Sequence, residues 1–278
     1  MEILDILCVK QFILTCYDGY QMGYHERNAG NLSYRMTISD VESCRPFFYD
    51  RVSPWIPIGV KASTLANTFF LVTGSGKYFR HILREPEENI CILEVNYLGD
   101  AYRIVWGLKN GGTPTSEIAA HFLLHSIRSE VTDGKCRVIY HAHTPYLIAL
   151  TYVLPLDAAA FSRVLWQSET ESPVVFPGGV GVVPCMIPGS MEIALATYEQ
   201  MKTYEAVVWA QHGLFCSGTD FDLAFGLMET IEKAAEIYHK VLSTGLEIIQ
   251  TIDDKQICSI AEAFNLKIRK DLLTYGAE

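Results

Sequence analysis

Between Met1 and Gly23 the apolar positions are broken by Asp5, Lys10 and Asp18, a pattern that predicts an amphipathic helix closing near Gly19 to Gly23. The polar stretch HERNAGNL then makes a Gly/Asn turn into a short alternating strand, and residues 37–68 show little regular periodicity. Strand patterns follow at Phe69–Val72, Cys91–Val95 and Tyr102–Trp106, joined by turns around Gly74, Gly76, Gly99 and Gly111. Ile118, Phe122 and Leu123 mark a helix from Glu117 to about Glu130, with Thr115 or Ser116 as its cap. Arg137–His143 reads as a strand, and Pro145, well placed in a first helical turn, opens a helix through LIALTYVL.

Val174–Phe176 and Val180–Val183 are short strand candidates. After Pro188-Gly189-Ser190, a helix collects Met191, Ala194, Leu195, Tyr198 and Met201 on one face, and Val207–Gln211 supplies another strand. Asp220 precedes a long helix over residues 221–242 that ends near Gly245, and the tail holds one or two smaller helices. Strands and helices alternate without a low-complexity linker, charge block or internal repeat, which predicts one α/β domain over residues 1–278.

Composition narrows the function classes. The 22 Lys and Arg against 32 Asp and Glu give a formal charge of -10, which opposes general affinity for nucleic acid or anionic membrane. An anionic substrate therefore needs a local site. The eight cysteines stand far apart, without zinc or redox spacings, and are expected to be reduced and mostly buried. No basic leader precedes the first apolar residues and no apolar run nears the roughly 18 residues of a spanning helix, so a cytoplasmic location is expected.

The most specific chemical feature is His141-Ala142-His143. Residues two apart on a strand point to one face, so both rings can hold one divalent metal; a hydrogen-bonded pair at a strand end fits the same spacing. His212, also after an apolar strand and before Gly213, is a candidate third ligand or a turn histidine. Glu117 opens a helix, where a carboxylate is favoured in any case, and is a candidate acid/base only if that helix end meets the metal. His121 and His125 lie on the same side of that helix among apolar residues and read as packed, hydrogen-bonded side chains; His25 needs only a structural or substrate-orienting role. Asn28-Ala29-Gly30-Asn31 and Thr73-Gly74-Ser75-Gly76-Lys77 offer amides, a hydroxyl and a cation to a phosphate, or are ordinary turns; neither fits a nucleotide P-loop. Glu171 on its own reads as a surface carboxylate, and Trp106 and Trp166 as packing residues.

Taken in order, NAGNL, TGSGKYFR, WGLKNGGTPTSEIAAHF, VIYHAHTPYLIALTYVL and WAQHGLFCSG resemble the class II aldolase and adducin-like superfamily, over residues 1–272. The resemblance implies a predominantly antiparallel central sheet flanked by helices, with His141, His143 and His212 as ligands of one Zn²⁺ per subunit and Glu117 as the active-site carboxylate. It further implies that Asn28, Gly30, Asn31, Ser75, Gly76 and Ser116 hold the phosphorylated ketone portion, and that Glu171 reaches the pocket of an adjoining subunit in a homotetramer. Ala29 stands where a second glycine is familiar. By the same resemblance, the extended middle section implies reversible retro-aldol cleavage of L-rhamnulose 1-phosphate to dihydroxyacetone phosphate and L-lactaldehyde, ahead of a fuculose-phosphate aldolase or a pentulose-phosphate 4-epimerase. A non-catalytic adducin-like interaction protein is the reading from a different class, and retention of the three histidines and Glu117 counts against it.

Overall fold

Alternation along the strands of one sheet organises the molecule, whose computed structural model describes residues 2–273. The strands are β1 (Asn31–Arg35), β2 (Ile56–Pro57), β3 (Phe69–Thr73), β4 (Ile90–Val95), β5 (Ala101–Gly107), β6 (Val138–Ala142), β7 (Gly181–Val183), β8 (Ala206–Trp209) and β9 (Gly213–Gly218). They form a nine-stranded sheet in the order β2-β5-β4-β3-β1-β6-β9-β8-β7. Only β7 with β8 is parallel; the other neighbours are antiparallel.

Around the sheet lie α1 (Leu7–Gln21), α2 (Ile38–Cys44), α3 (Phe79–Ile82), α4 (Pro86–Asn89), α5 (Ile118–Val131) and α6 (Pro145–Leu150). They are followed by α7 (Ala158–Ser168), α8 (Ser172–Val175), α9 (Met191–Met201), α10 (Phe221–Ser243) and α11 (Asp254–Ala263). The architecture is a single α/β domain with a mostly antiparallel central sheet, and no described helix is long and apolar enough to cross a membrane.

The period of two sorts the central strands between two faces. Tyr34 of β1 packs on Phe221 of α10 and Tyr140 of β6 stacks on Phe225, while Ser33 and Asn31 turn to the opposite face and meet α5. Because β1 and β6 pair with Asn31 opposite His141, these two polar side chains stand together at one end of the α5 face. Further along, Phe70 of β3 meets Phe122 of α5 edge to face, with centroids 5.0 Å apart. Trp166 and Trp209 are fully buried with their indole N–H groups donating to Phe176 O and Thr197 Oγ1. Each such side chain contributes about 1.5–3 kcal/mol by leaving water, without the penalty of an orphaned donor.

The caps match the sequence signals in part. Asp220 accepts from the Leu223 amide and Ser190 from that of Ile193, fixing the starts of α10 and α9. The Thr115 hydroxyl accepts from the Glu117 amide just ahead of α5. One strand expectation fails: Val174 and Val175 end the short helix α8, whose Pro173 presets a helical φ and whose amides at 174 and 175 bond back to Glu171 O. The helix after Pro145 stops at Leu150, and the strand before His212 stops at Trp209 because Gln211 takes φ 57°. Strand β9 and helix α7 lie in segments for which the sequence pattern gave no element. All eight cysteines are free, six of them buried.

Candidate active site

The turn from Asn28 to Asn31 enters β1 beside the end of β6. Gly30 carries the sharp bend, at φ +74°, and a Cβ there would lie 2.7 Å from His141 O and 2.4 Å from His25 Nδ1. Ala29 has no left-handed φ, so alanine suits the place where a second glycine is familiar. His25 braces the turn: its Nδ1–H donates to Ala29 O at 3.0 Å, which leaves Nε2 to accept from the Tyr140 hydroxyl at 2.6 Å. Burial holds this ring neutral, with a pKa lowered to about 3.

His141 is the next-to-last residue of β6, His143 follows the strand, and His212 sits in the turn between β8 and β9. One ring nitrogen from each lies within 4.8 Å of the others. His141 Nδ1–H donates to Leu214 O at 3.1 Å, which aims a buried, unpartnered Nε2 inward. His143 Nδ1–H donates to Glu26 Oε1 at 2.7 Å, so Nε2 is its available lone pair. His212 also has a buried nitrogen, Nδ1, without a partner. Burial and the neighbouring histidines push the His141 pKa far below its ordinary value, and burial with His143 lowers His212 to about 4. Three imidazoles gathered this closely, two of them with a buried nitrogen that has no partner, fit a divalent cation, which would remove the cost of leaving those nitrogens unpaired. Gly213 lets β9 approach this closely, since a Cβ there would lie 2.3 Å from Ala142 O.

Glu117 precedes α5 and is buried, with its Oε2 accepting from Asn31 Nδ2 at 2.9 Å. Burial raises its pKa, opposed by the Asn31 hydrogen bond. Glu117, the three histidines, Asn28, Gly30, Asn31, Ser75, Gly76 and Ser116 all line one cavity of about 210 Å³, joined by Ala29, Gly74 and Thr115. No lysine or arginine lines it among the described residues, and Lys77 lies outside it. Glu171 is exposed on the same chain and lines a different cavity, of about 470 Å³, with Tyr146, Glu169 and Glu232.

Residues 10–239 match the model of the class II aldolase and adducin N-terminal domain. The chain belongs to the class II aldolase and adducin family. Within it, the chain is 46% identical over 264 residues to the rhamnulose-1-phosphate aldolase of Yersinia pestis (strain Pestoides F), covering 95% of this chain and 96% of that one. A sugar-phosphate aldolase from Thermotoga maritima superposes with a TM-score of 0.69 at 28% identity, covering 86% of this chain and 96% of that one. L-fuculose-1-phosphate aldolase from Thermus thermophilus shares the fold at TM-score 0.56 and 21% identity, over 86% and 97% of the two chains.

For this class II aldolase-like chain, sequence reasoning missed several supporting groups. Glu26 behind His143 and Leu214 O behind His141 were not read, although Glu26 lies two residues ahead of the Asn/Gly turn. His121 and His125 are buried and hydrogen-bonded as expected, but their link to the site through Ser33 and Asn31 has no sequence signal.

Proposed function

We propose that the protein is a zinc-dependent aldolase that reversibly cleaves L-rhamnulose 1-phosphate to dihydroxyacetone phosphate and L-lactaldehyde. The observation that carries this reading is the meeting of three inward-facing imidazoles with the buried Glu117 carboxylate in one polar cavity. Near-full-length similarity at 46% identity to a rhamnulose-1-phosphate aldolase supports the choice of substrate.

His141, His143 and His212 would hold one zinc ion per subunit, and the ion would supply Lewis-acid polarisation of the ketone. The amides and side chains of Asn28, Gly30, Asn31, Ser75, Gly76 and Ser116 bind the phosphorylated ketone portion, using N–H and O–H donors in place of a cation. In cleavage the C4 hydroxyl passes its proton to the aldehyde-side carboxylate, Glu171 of a neighbouring subunit, the C4 oxygen becomes the aldehyde carbonyl, and the C3–C4 bond breaks with its electron pair left on the ketone fragment. Glu117 then protonates C3, and in condensation it removes the same proton. Glu117 Oε2 is already engaged by Asn31, so the remaining oxygen, Oε1, carries that proton. The raised pKa suits a carboxyl group that must both hold and release it. No lysine among the described residues lines the cavity, so a Schiff base has no amine to form on. Glu171, remote from the histidines in its own chain, acts on the aldehyde side of the pocket of a neighbouring subunit in a cytoplasmic homotetramer.

The test is to incubate zinc-loaded protein with L-rhamnulose 1-phosphate and follow both products. Appearance of dihydroxyacetone phosphate and L-lactaldehyde in equal amounts is expected. An epimer without lactaldehyde would move the assignment to a pentulose-phosphate type of chemistry, and metal binding without conversion would favour an adducin-like binding role.

A further inference from the structure

Behind the cavity wall, four hydrogen bonds join residues far apart in sequence. Asn31 Nδ2 donates to Glu117 Oε2 at 2.9 Å, and Asn31 Oδ1 meets His121 Nε2 in a short contact. His121 Nδ1 lies 2.5 Å from Ser33 Oγ, and Ser33 Oγ lies 2.8 Å from His125 Nε2. Ser33, His121 and His125 do not line the cavity, and all three are essentially without solvent exposure.

The direction of every donor follows from the chemistry of the two ends. A carboxylate only accepts, so the Asn31 amide turns its N–H to Glu117 and its oxygen to His121. His121 must then carry its proton on Nε2. As a neutral ring it leaves Nδ1 as an acceptor for the Ser33 hydroxyl, and Ser33 in turn accepts from His125 Nε2–H. Burial keeps both rings neutral. At the far end His125 Nδ1 has no partner. In the chain as written it is a bare lone pair. Reversing all four bonds, as a proton on Glu117 Oε2 would require, turns it into a buried N–H with no acceptor, which is the costlier orphan. The charge of Arg35 also disfavours the cationic form of His125 and so helps to keep that ring neutral.

We infer that Ser33, His121 and His125 are positioning residues for Glu117, forming a one-way hydrogen-bond chain through Asn31 that keeps Oε2 an acceptor and reserves Oε1 for the transferred proton. This rests on Glu117 being the carbon acid/base proposed above. The chain fixes the Asn31 amide against flipping and so fixes the carboxylate plane against the substrate carbon, a placement to which proton transfer is sensitive. It acts on the chemical step and leaves the phosphate contacts in place.

Two measurements test it. First, ¹⁵N NMR of histidine-labelled protein, assigned with single variants, should show His121 and His125 as neutral Nε2–H tautomers at pH 7. A proton on Nδ1 of His121 overturns the proposed direction. Second, steady-state kinetics and deuterium exchange at C3 of dihydroxyacetone phosphate should be compared in wild type, Ser33→Ala, His121→Gln and His121→Leu. Ser33→Ala should lower kcat and the exchange rate about tenfold or more while KM moves by less than about threefold. His121→Gln, which keeps one donor and one acceptor, should retain more activity than Ser33→Ala. If His121→Leu does not fold, the Ser33→Ala and His121→Gln pair still decides the matter. Wild-type kcat and exchange in Ser33→Ala overturn the inference, as does an equal loss in Ser33→Ala and His121→Gln. A wild-type enzyme that neither cleaves nor exchanges overturns the proposed function instead, and the tautomer measurement then still judges the geometry.

Discussion

Glu26 Oε1 accepts from His143 Nδ1 at 2.7 Å, so an exposed carboxylate on the loop before β1 orients a ring that follows β6. The contact makes His143 Nε2 the free lone pair and raises its basicity toward a metal. Glu26→Ala should weaken zinc affinity about tenfold, and Glu26→Gln, which keeps an acceptor oxygen, should weaken it less. Competition against a chromophoric chelator measures both. Unchanged affinity in Glu26→Ala would remove Glu26 from the account of the site.

Replacement of Glu117 separates binding from chemistry. Glu117→Ala should lower kcat by about 100-fold or more, while the variant still binds inorganic phosphate and zinc, because the six residues expected at the ketone phosphate and the three histidines are untouched. Titration calorimetry with phosphate and a metal assay check the two bindings. Loss of zinc together with activity would show that the carboxylate supports the metal as well.

The Asn28–Asn31 turn makes opposite demands at neighbouring positions. Gly30→Ala places a side chain at φ +74° and against His141 O, so it should cost more than about 1 kcal/mol and disturb the metal site. Ala29→Gly should cost about 0.4–1 kcal/mol, through the greater freedom of the unfolded chain. Urea denaturation of both variants provides the comparison, and equal effects would contradict the assigned backbone geometry.

Stability should fall with acid. His25 and His121 have pKa values lowered to about 3 by burial, and His125 lies far below its ordinary value. At pH 5 the unfolded chain binds three protons at these rings that the folded chain refuses, so unfolding free energy drops by about 4 kcal/mol per pH unit on acidification. Buried Glu232, raised to about 7, works the other way: folded it keeps a proton that the unfolded chain has mostly released at pH 5, which offsets about 1 kcal/mol per unit. A net loss of about 3 kcal/mol per unit near pH 5 is therefore expected from these four groups. Urea midpoints between pH 6.5 and 4.5 give the slope, and a flat profile would mean that the rings ionise in place.

The pairing of His141 with His143 was legible because a period of two puts both on one side of an extended segment, here the end of β6 and the residue after it, whatever sheet it joins. His212 was not locatable by spacing; it reaches the pair through β9 lying against β6, and β9 itself is masked by glycines at both ends. Gly213 is there because nothing larger fits under Ala142 O, a requirement of the neighbour and not of the strand. Ser33 shows the same limit. In an alternating strand it reads as a solvent-facing residue, yet it is 1% exposed because two histidines 88 and 92 positions away satisfy its hydroxyl. Local pattern carries the elements and the ligand types, whereas pairing order carries the site.

The sheet order also sets a timetable for synthesis. β1 lies between β3 and β6, so the strand that presents Asn31 has one long edge unpaired until residues 138–142 have been made. His212 arrives roughly 180 residues after Asn31, some 10–35 s later at about 5–20 residues per second. Until His212 has been made, the emerging chain holds the residues from Asn28 to Ser116 without the complete set of three imidazoles, so the cavity is finished only late in synthesis.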